Sequence, residues 1–320
     1  MTPETGMPTA HDVLAVEFDN YGGPEVLKLR RIARPQPGPG EVLIRVHAAS
    51  MNPVDWKVRS GMLQKFFPVT FPAVTGRDGA GEVIAVGIGA DASLLGKRVC
   101  FLASRGVGTW SQQIALPVAL AVPFPTTLSY TDAAALPLAG ISAWIGMVRT
   151  ADVKAGMRVL IHAAAGGVGG MAVQIARLRG ATVIATCSQH NVDFVRALGA
   201  QEVIPYDKET FEDHARDVDL VFDVIGGDVH ARSYRTLKRG GMMVALVAEP
   251  FQDQSARYGV KLAVPQVLSD PPALAEVVAL VAAGKLKAGV EHALPLSDFA
   301  KAHQMSETGH ARGKTVLRLL

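Results

Sequence analysis

Val159-Leu-Ile-His-Ala163 is followed at once by Ala164-Ala-Gly-Gly-Val-Gly-Gly170 and then by the helix-like segment Met171 to Arg179. The first stretch is a short apolar run of strand length, and the last has the composition of a helix. The glycines between them permit a turn that side chains would obstruct. The sequence therefore predicts a strand, a tight turn and a helix, which together start a parallel α/β sheet.

The glycine turn also predicts a ligand. Backbone N–H groups at a helix N-terminus attract anions, and glycines let the backbone approach a pyrophosphate closely. Two registers fit, Gly167-x-Gly169-x-x-Ala172 and Ala164-x-Gly166-x-x-Gly169, both containing Val168, and the second agrees better with the strand end. We expect a dinucleotide here, and the alternative is that the glycines only pack the helix on the strand.

The end of the next predicted strand, Thr182 to Thr186, is informative about the kind of dinucleotide. An NAD enzyme places an acidic residue there, about 20 residues after the glycine turn. This chain has Cys187-Ser-Gln-His-Asn191 instead. Ser188 and Asn191 can donate hydrogen bonds to a 2′-phosphate and His190 can add charge, so NADPH is expected rather than NADH. The alternative, compatible with it, is that Ser188 or Asn191 is a helix N-cap.

The rest of the chain divides by its patterns. Short β-like runs, including Val42 to Ala48, Glu82 to Val86 and Arg98 to Leu102, predict a small irregular β domain in the first third. From about Ser129, alanine-rich helical segments alternate with apolar strands, which favours a parallel sheet. Further elements are predicted at Glu202 to Pro205, Leu220 to Val224, Met242 to Val247, a helix near Pro272 to Ala283 and a last strand, Lys314 to Leu319.

Composition excludes several classes of protein. The chain has 320 residues, 49% apolar and 19% charged, which is enough for two cores. The net charge of +3 is scattered, so neither a nucleic-acid nor a membrane surface is expected. Two cysteines are too few for a disulfide framework, so none is expected. Met1 to Asp12 does not resemble a secretory signal, so we expect a cytoplasmic protein.

Seven motifs, spread over nearly the whole chain, carry a family resemblance. They are Tyr21-Gly-Gly-Pro-Glu-Val-Leu27, Pro37-Gly-Pro-Gly-Glu-Val-Leu-Ile44, Asn52-Pro-Val-Asp-Trp-Lys57, Gly76-Arg-Asp-Gly-Ala-Gly81, Ala135-Leu-Pro-Leu-Ala-Gly140, Ala163-Ala-Ala-Gly-Gly-Val-Gly169 and Ala311-Arg-Gly-Lys314. In this order they resemble the quinone oxidoreductase branch of the medium-chain dehydrogenase/reductase superfamily, which includes enone and alkenal double-bond reductases.

The resemblance implies an α/β fold in which a doubly wound Rossmann sheet is inserted into a GroES-like, mainly β catalytic domain. The expected boundaries are 1–125 for the first part of the catalytic domain, 126–265 for the NADP-binding domain and 266–320 for the return. The active site of such proteins lies in the cleft between the domains. Family members are commonly homodimers, often joined through the edge of the nucleotide-binding sheet.

Zinc alcohol dehydrogenases share this fold, but the ligands that they use are missing. Ser50-Met-Asn52 stands where an early cysteine is needed, and Gly76-Arg-Asp78 stands at the position of the His-Glu pair. Two distant cysteines also cannot form a four-thiolate structural site. Without a Lewis acid to stabilise an alkoxide, reduction of an electron-poor acceptor is favoured over alcohol oxidation. We therefore expect no metal.

Three residues of the Asn52-Pro-Val-Asp-Trp-Lys57 motif are the catalytic candidates. The resemblance implies that Asn52 orients substrate or the nicotinamide carboxamide, although Asn-Pro also favours a turn. Asp55 matches a family aspartate whose place at a helix start equally suits a cap. A lysine at position 57 resembles the enone-reductase relatives, and its ammonium could stabilise an enolate or hold the cofactor ribose. Its alternative is an exposed lysine on a short helix.

The remaining candidates are cofactor contacts that the resemblance implies, namely Ser142, Tyr206, Leu246, Val247, Arg312 and Lys314. Each has an ordinary alternative: Ser142 can bond back within a helix, Tyr206 can pack on the sheet, and Arg312 and Lys314 can be surface charges. His162 lies inside a strand and is interpreted as a core histidine with satisfied hydrogen bonds rather than a general acid.

Together these features predict an NADPH-dependent oxidoreductase that transfers hydride to a quinone or an α,β-unsaturated carbonyl. Such acceptors spread charge onto oxygen, so positioning supplies much of the catalysis and no nucleophile is needed. The alternative from another class is a catalytically idle NADPH-binding protein, structural or sensory. A reductase domain cut from a polyketide synthase is disfavoured by the N-terminal domain. The sequence leaves open whether quinone or enone is preferred.

Overall fold

The computed structural model describes residues 12–247 and 251–320, and the chain divides into two compact units. The first unit runs to Pro137 and also takes in His292–Gly309 and Thr315–Leu320. The second comprises Leu138–Glu291 and His310–Lys314. The second unit is therefore an insertion in the first, which confirms the expected fold class.

The first unit begins as a series of short strands with two helices. In chain order these are β1 (Val13–Phe18), β2 (Lys28–Ile32), β3 (Glu41–Ser50), α1 (Pro53–Arg59), β4 (Ala73–Val74), β5 (Asp78–Val86), β6 (Arg98–Leu102), β7 (Gln113–Pro117), β8 (Val122–Pro123) and α2 (Tyr130–Ala135). The β-like runs of the sequence all lie in strands, and most of their apolar residues are buried, although Ile84, Ala85 and Val86 are only partly so.

The second unit alternates helices with strands. Its elements are α3 (Pro137–Trp144), β9 (Arg158–Ile161), α4 (Gly167–Leu178), β10 (Thr182–Cys187), α5 (Val192–Leu198), β11 (Glu202–Pro205), α6 (Phe211–His214), β12 (Val218–Asp223), α7 (Gly227–Ser233), β13 (Leu237–Ala245), α8 (Ser255–Tyr258), β14 (Lys261–Ala263) and α9 (Pro271–Ala282).

The chain then returns to the sheet of the first unit in β15 (Val290–Pro295), α10 (Phe299–Glu307) and β16 (Lys314–Arg318). That sheet has the order β15-β16-β3-β5-β6-β8, with β7 also paired to β3, and a smaller sheet has the order β2-β1-β4. The long antiparallel pair β3–β5 sets Ser50 opposite Asp78. This register brings together two sequence positions that belong to different motifs.

The sheet of the second unit has the order β11-β10-β9-β12-β13-β14, and all its strand pairs are parallel. Counted from β9, this is the doubly wound order 3-2-1-4-5-6. The central strands are apolar and buried because helices cover both faces of such a sheet. Ligands of these sheets bind beyond the carboxyl ends of the strands, where the order reverses between β9 and β12.

The domain boundaries differ from those expected from the sequence. The main segment of the second unit runs from Leu138 to Glu291, rather than from 126 to 265. The difference at the end has a packing reason, since Lys287 donates its N–H to Gln174 Oε1 (2.8 Å) and so ties the segment after α9 to α4. The sequence interpretation also missed β14, which has only three residues, and started α4 at Met171 instead of Gly167.

Two further expectations concern membranes and cysteines. Within residues 12–247 and 251–320, no helix has both the length and the apolar character needed to span a bilayer. The uncharged stretch from Val159 to Ala176 is divided between β9, the glycine turn and α4. Cys100 and Cys187 are both buried free thiols. Burial raises the pKa of Cys187 to about 11, so this thiol is protonated at neutral pH.

Candidate active site and cofactor site

The glycine turn between β9 and α4 brings strand and helix unusually close. A Cβ on Gly169 would lie 2.2 Å from the carbonyl oxygen of Ala163, whereas one on Gly166 would lie 3.4 Å from the same atom. Ala163 itself has a positive φ of 51°. The third glycine of a dinucleotide turn serves this close packing. The geometry therefore favours the register Ala164-x-Gly166-x-x-Gly169.

The N-terminus of α4 is the anion-binding feature of this unit. Gly166 is the N-cap, and Gly167, Val168 and Gly169 form the first turn, whose N–H groups have no acceptor within the helix. Ala164 is fully buried and donates its N–H to Thr186 O (3.0 Å), which joins the turn to β10. A twelve-residue helix presents a partial positive charge at this end. The site suits a pyrophosphate.

The C-terminal motif Ala311-Arg-Gly-Lys314 reaches the same turn. Gly313 donates its N–H to Ala165 O (2.7 Å), and a Cβ on Gly167 would lie 2.6 Å from Lys314 Cδ. Lys314 is thus placed beside the first turn of α4, with 5% of its surface exposed. Arg312 is directed elsewhere, because it forms a two-point ion pair with Glu291 (2.9 and 2.5 Å) and lies over the ring of Phe194.

Ser188, His190 and Asn191 form one cluster after β10. Asn191 Nδ2 donates to Ser188 Oγ (3.0 Å) and lies 3.2 Å from His190 Nε2. Ser188 and Asn191 are buried and stand at the N-cap positions of a short 3-10 turn and of α5, as the alternative expected, but neither side chain makes a capping hydrogen bond. Because Ser188 Oγ accepts from Asn191, its hydroxyl hydrogen can be donated to a ligand. Asn191 Oδ1 is buried and lacks a hydrogen-bond partner in the described residues.

Tyr206 and Asp207 stand next to this cluster. Tyr206 donates its N–H to Cys187 O (2.9 Å), and its side chain is 47% exposed rather than packed on the sheet. Asp207 accepts the N–H of Gln189 (2.8 Å). The sequence interpretation found no acid within Cys187-Ser-Gln-His-Asn191. It missed Asp207, which follows the neighbouring strand β11. Its only sequence signal was its position two residues after a predicted strand end.

The three remaining cofactor candidates lie near the other strand ends or in α3. Leu246 donates its N–H to Asp223 O (2.8 Å). Of its two backbone groups, only the carbonyl is therefore left for the expected contact with the cofactor. Val247 packs near Gly226, in the loop after β12. Ser142 is buried in α3. This helix lies near the glycine turn, since a Cβ on Gly167 would be 3.7 Å from Ala139. These positions are compatible with cofactor contacts beyond the carboxyl ends of the parallel strands.

His162 is accounted for by its neighbours. Its Nδ1 lies 3.0 Å from Thr186 Oγ1 and its Nε2 lies 2.8 Å from Ser233 Oγ. Burial lowers the pKa of His162 to about 4, so the ring is neutral at physiological pH. The structure confirms the interpretation of a core histidine with satisfied hydrogen bonds.

In the first unit, Asn52 and Asp55 organise the start of α1. Asn52 donates its N–H to Asp55 Oδ2 (2.8 Å), and the two residues form a capping box, with Pro53 in the first turn. This arrangement satisfies N–H groups that a helix start leaves without acceptors. Asp55 therefore caps the start of α1, which is the structural alternative that its position suggested. Its carboxylate supports Asn52.

Asp78 is a buried polar residue that the sequence interpretation treated only as part of a lost zinc position. It is fully buried, and one carboxylate oxygen accepts hydrogen bonds from Asn52 Nδ2 (2.9 Å) and Ser50 Oγ (2.6 Å). These positions offer a hydroxyl, an amide and a single carboxylate, which do not make the thiolate and imidazole ligand set of the zinc enzymes. No group of three potential ligands is found in the described part of the chain. The residues present do not fit a zinc ion.

Lys57 lies on the second turn of α1. It is half-buried, and its Nζ is 5.6 Å from the ring centroid of Trp56. Lys57 is thus less exposed than the alternative of an exposed helix lysine expected, and its role in catalysis stays a prediction. Asn52, Asp55 and Lys57 share one short helix, so a change in the position of α1 moves all three catalytic candidates together.

The two units define a class of protein. A glycine turn on a doubly wound sheet is typical of dinucleotide binding, and the mainly antiparallel sheet of the first unit carries the buried polar residues Ser50 and Asp78. This is the architecture of a nicotinamide-dependent oxidoreductase with a GroES-like domain.

Comparison with known proteins gives the family. Models of the alcohol dehydrogenase GroES-like domain and of zinc-binding dehydrogenase match residues 38–126 and 198–317. The quinone-oxidoreductase homologue of spinach chloroplasts is 33% identical, over 95% of this chain and 97% of its own. An NADPH-dependent alkenal/one oxidoreductase of Arabidopsis thaliana chloroplasts is 35% identical, over 94% and 78%. The Escherichia coli quinone oxidoreductase solved with NADPH superposes with a TM-score of 0.86 at 27% identity, over 96% and 100%.

The chain belongs to the medium-chain dehydrogenase/reductase superfamily and is related over nearly its whole length to quinone oxidoreductases. It is an oxidoreductase that uses a nicotinamide cofactor.

Proposed function

We propose that this protein reduces quinones or α,β-unsaturated carbonyl compounds with NADPH and without zinc. The observation that carries the choice of cofactor is the Ser188–Asn191 cluster, which offers a hydroxyl donor and lacks an acidic side chain of its own. An acidic residue there would repel a 2′-phosphate, whereas a hydroxyl and an amide can bind one. The names of the spinach, Arabidopsis and Escherichia coli relatives support the choice of acceptor.

The second unit would hold the dinucleotide at two places. The first turn of α4, at Gly167 to Gly169, would receive the pyrophosphate, with Lys314 adding positive charge beside it. Ser188, Asn191 and the exposed ring of Tyr206 would surround the phosphorylated ribose. Arg312 would contribute only after it leaves Glu291. When bound, NADPH supplies a hydride to the acceptor.

The first unit would supply the groups that stabilise the acceptor's developing charge. Asp78 holds the amide of Asn52 in one orientation, and Asp55 holds the backbone of the same residue. A preorganised amide needs no reorganisation as charge builds up on the acceptor oxygen. The ammonium of Lys57, on the same helix, would strengthen this stabilisation because it carries a full charge. Ser50 and Asp78 occupy the zinc positions with a hydrogen bond instead of a metal.

The assembly and location belong to the same proposal. β14 is an edge strand of the parallel sheet, so its outer N–H and C=O groups can pair with the same strand of a second copy. We therefore propose a homodimer, to be tested by light scattering during size-exclusion chromatography. A cytoplasmic location, in contrast to that of the chloroplast and mitochondrial relatives, is to be tested by fractionation of the source cells.

A paired screen of NADPH and NADH oxidation against quinones and enones tests the function. We expect turnover with at least one acceptor class, faster with NADPH, and unchanged after exhaustive chelation. Tight NADPH binding without turnover on any acceptor would instead identify the idle NADPH-binding protein. Stoichiometric zinc whose removal abolishes activity would overturn the zinc-free mechanism.

A further inference from the structure

A buried carboxylate stands at the carboxyl end of β12, next to the point where the strand order of the second unit reverses. Asp223 is the last residue of β12, pairs with Ala245 of β13 and has no exposed surface. A carboxylate that is removed from water is costly unless hydrogen bonds replace its solvation. The donors that surround Asp223 therefore show which parts of the chain it holds.

Both oxygens of the Asp223 side chain face donors from the segment that follows β12. Oδ1 accepts the N–H groups of Ile225 (2.8 Å) and Gly226 (3.0 Å), and Oδ2 lies 2.8 Å from Nδ1 of His230. An ionised carboxylate can only accept hydrogen bonds, so the His230 ring carries a proton on Nδ1. One side chain thus fixes both the loop between β12 and α7 and the helix α7 itself.

His230 is also held from its other side. Its Nε2 lies 3.2 Å from the hydroxyl oxygen of Tyr234, and its ring centroid is 4.3 Å from that of Phe251. His230 and Tyr234 are both buried, and each polar side-chain atom of Asp223, His230 and Tyr234 has a hydrogen-bond partner. A buried polar network that is fully satisfied makes its surroundings rigid. We call these three residues the Asp223 network.

The loop that this network fixes lies against the end of β13. The backbone carbonyl of Asp223 accepts the N–H of Leu246 (2.8 Å), and a Cβ on Gly226 would lie 3.4 Å from Cβ and Cγ1 of Val247. Gly226 has a φ of 87°, a conformation that favours glycine. The end of β12 therefore sets the position of the backbone at Leu246, whose carbonyl is left as an acceptor.

The place of Leu246 in the sheet indicates which half of a dinucleotide meets this carbonyl. A sheet of this order consists of two mononucleotide-binding halves. The cluster of Ser188 and Asn191, which suits the adenosine ribose, follows β10 in one half, whereas β12 and β13 belong to the other. The nicotinamide falls to that second half. Its carboxamide carries an NH2 group with two donors, and a free carbonyl oxygen is a matching acceptor.

We propose that Asp223 is a positioning residue for the nicotinamide: through His230 and the loop after β12, it holds the carbonyl of Leu246 in place to accept a hydrogen bond from the carboxamide. The inference rests on the nicotinamide dependence of the proposed function and adds a residue that does not touch the cofactor. Removal of the carboxylate frees the loop and loses this hydrogen bond. Contacts of the adenosine half are unaffected.

The test compares NADP+ with its 3-acetylpyridine analogue, in which a methyl group replaces the carboxamide NH2. Both dissociation constants are measured by isothermal titration calorimetry. The wild type should bind the analogue about threefold to tenfold more weakly, as for the loss of one neutral hydrogen bond. In Asp223→Ala this ratio should fall below about twofold, because NADP+ can no longer use its NH2 group. Adenosine 2′,5′-bisphosphate, which lacks the nicotinamide half, should bind the variant as it binds the wild type.

Two further variants separate positioning from general destabilisation. Asp223→Asn keeps an oxygen acceptor for the N–H groups of Ile225 and Gly226 and should retain most of the wild-type ratio. Asp219→Ala is the matched control, because Asp219 lies in the same strand and accepts the N–H of Arg158 (2.7 Å) at the opposite end. Its loss should lower the melting temperature without changing the ratio. If Asp223→Ala does not fold, His230→Leu, which removes the donor to Oδ2, takes its place and should at least halve the ratio.

Three results would overturn the proposal: a wild-type ratio near one, a wild-type ratio retained in Asp223→Ala or its replacement, or an equal fall of the ratio in Asp219→Ala. Binding of adenosine 2′,5′-bisphosphate that weakens as much as that of NADP+ would also overturn it. The assay contains no acceptor, so absence of turnover with every quinone and enone would refute the reductase function and leave this outcome standing. If the protein binds NAD+ in preference to NADP+, the same ratio is measured with NAD+ and its 3-acetylpyridine analogue.

Discussion

The close approach of α4 to β9 can be tested by adding one methyl group at Gly169. In Gly169→Ala the new Cβ would lie 2.2 Å from Ala163 O and 2.8 Å from the carbonyl carbon of the same residue. Both atoms belong to backbone, which cannot rotate away as a flexible side chain would. The helix must therefore move outward by about 1 Å to restore ordinary contact distances.

Two effects of this substitution oppose each other. Alanine is favoured over glycine inside a helix by up to about 1 kcal/mol. Forcing an extra methyl group into a packed site costs about 1 to 3 kcal/mol, and backbone contacts belong at the upper end of that range. We expect a net loss of about 1 to 2 kcal/mol in the free energy of unfolding. Displacement of the N–H groups of the first turn should also weaken NADPH by at least about tenfold.

Gly166→Ala is the matched control, because its Cβ would lie 3.4 Å from the same carbonyl oxygen and its φ of −77° suits any residue. The measurements are the midpoint of thermal unfolding and a fluorescence titration with NADPH. The control should keep the wild-type midpoint within a few degrees, by the usual relation between stability and melting temperature. If Gly169→Ala is as stable as the wild type and binds NADPH equally well, the proposed contact between α4 and β9 is wrong.

Three further predictions concern the cofactor, the chemistry and the core. Ser188→Asp should weaken NADPH at least about tenfold, or 1.4 kcal/mol, through charge repulsion, while NADH is spared in a fluorescence titration; equal effects on both would refute the 2′-phosphate site. Lys57→Met should slow single-turnover hydride transfer to an enone by about tenfold to a hundredfold, with a smaller change in NADPH affinity; an unchanged rate would leave Asn52 to act alone. Because burial lowers the pKa of His162 to about 4, protonation favours the unfolded chain. The contribution of His162 to the free energy of unfolding should be fully present above pH 7 and should be lost as the pH drops from about 6.5 toward 4. At pH 5 this loss should be about 2 kcal/mol. Urea unfolding against pH should show this slope in the wild type, and an equal slope in His162→Gln would contradict the assignment.

Local patterns in the sequence were good guides wherever the physics is local. Asn52-Pro53 and Asp55 predicted a helix start, and a capping box forms there. The apolar run at 159–163, followed by glycines, predicted a strand, a turn and a helix, which are β9 and α4. These features depend on backbone angles and hydrogen bonds within a few residues, so neighbouring residues are enough to specify them.

The domain boundaries and the short strand β14 were harder to predict, for a physical reason. An apolar helix such as α9 has the same pattern whichever unit it covers. Its place in the second unit is set by contacts of the segment that follows it. One of these is the hydrogen bond between Lys287 and Gln174, which are 113 residues apart. A three-residue strand has too few side chains to display an alternation at all.

The sequence by itself therefore determined the family, the dinucleotide turn and the residue types available for catalysis. Tertiary structure alone decided which of those residues meet. The antiparallel register of β3 and β5 brings Asp78 to Asn52, 26 residues away, where its carboxylate accepts a hydrogen bond from the Asn52 amide. Folding of the C-terminal motif likewise sets Lys314 against Gly167 but pairs Arg312 with Glu291. Strand pairing and ion-pair choice depend on the packing of the whole unit, and that information is not contained in any short stretch of the chain.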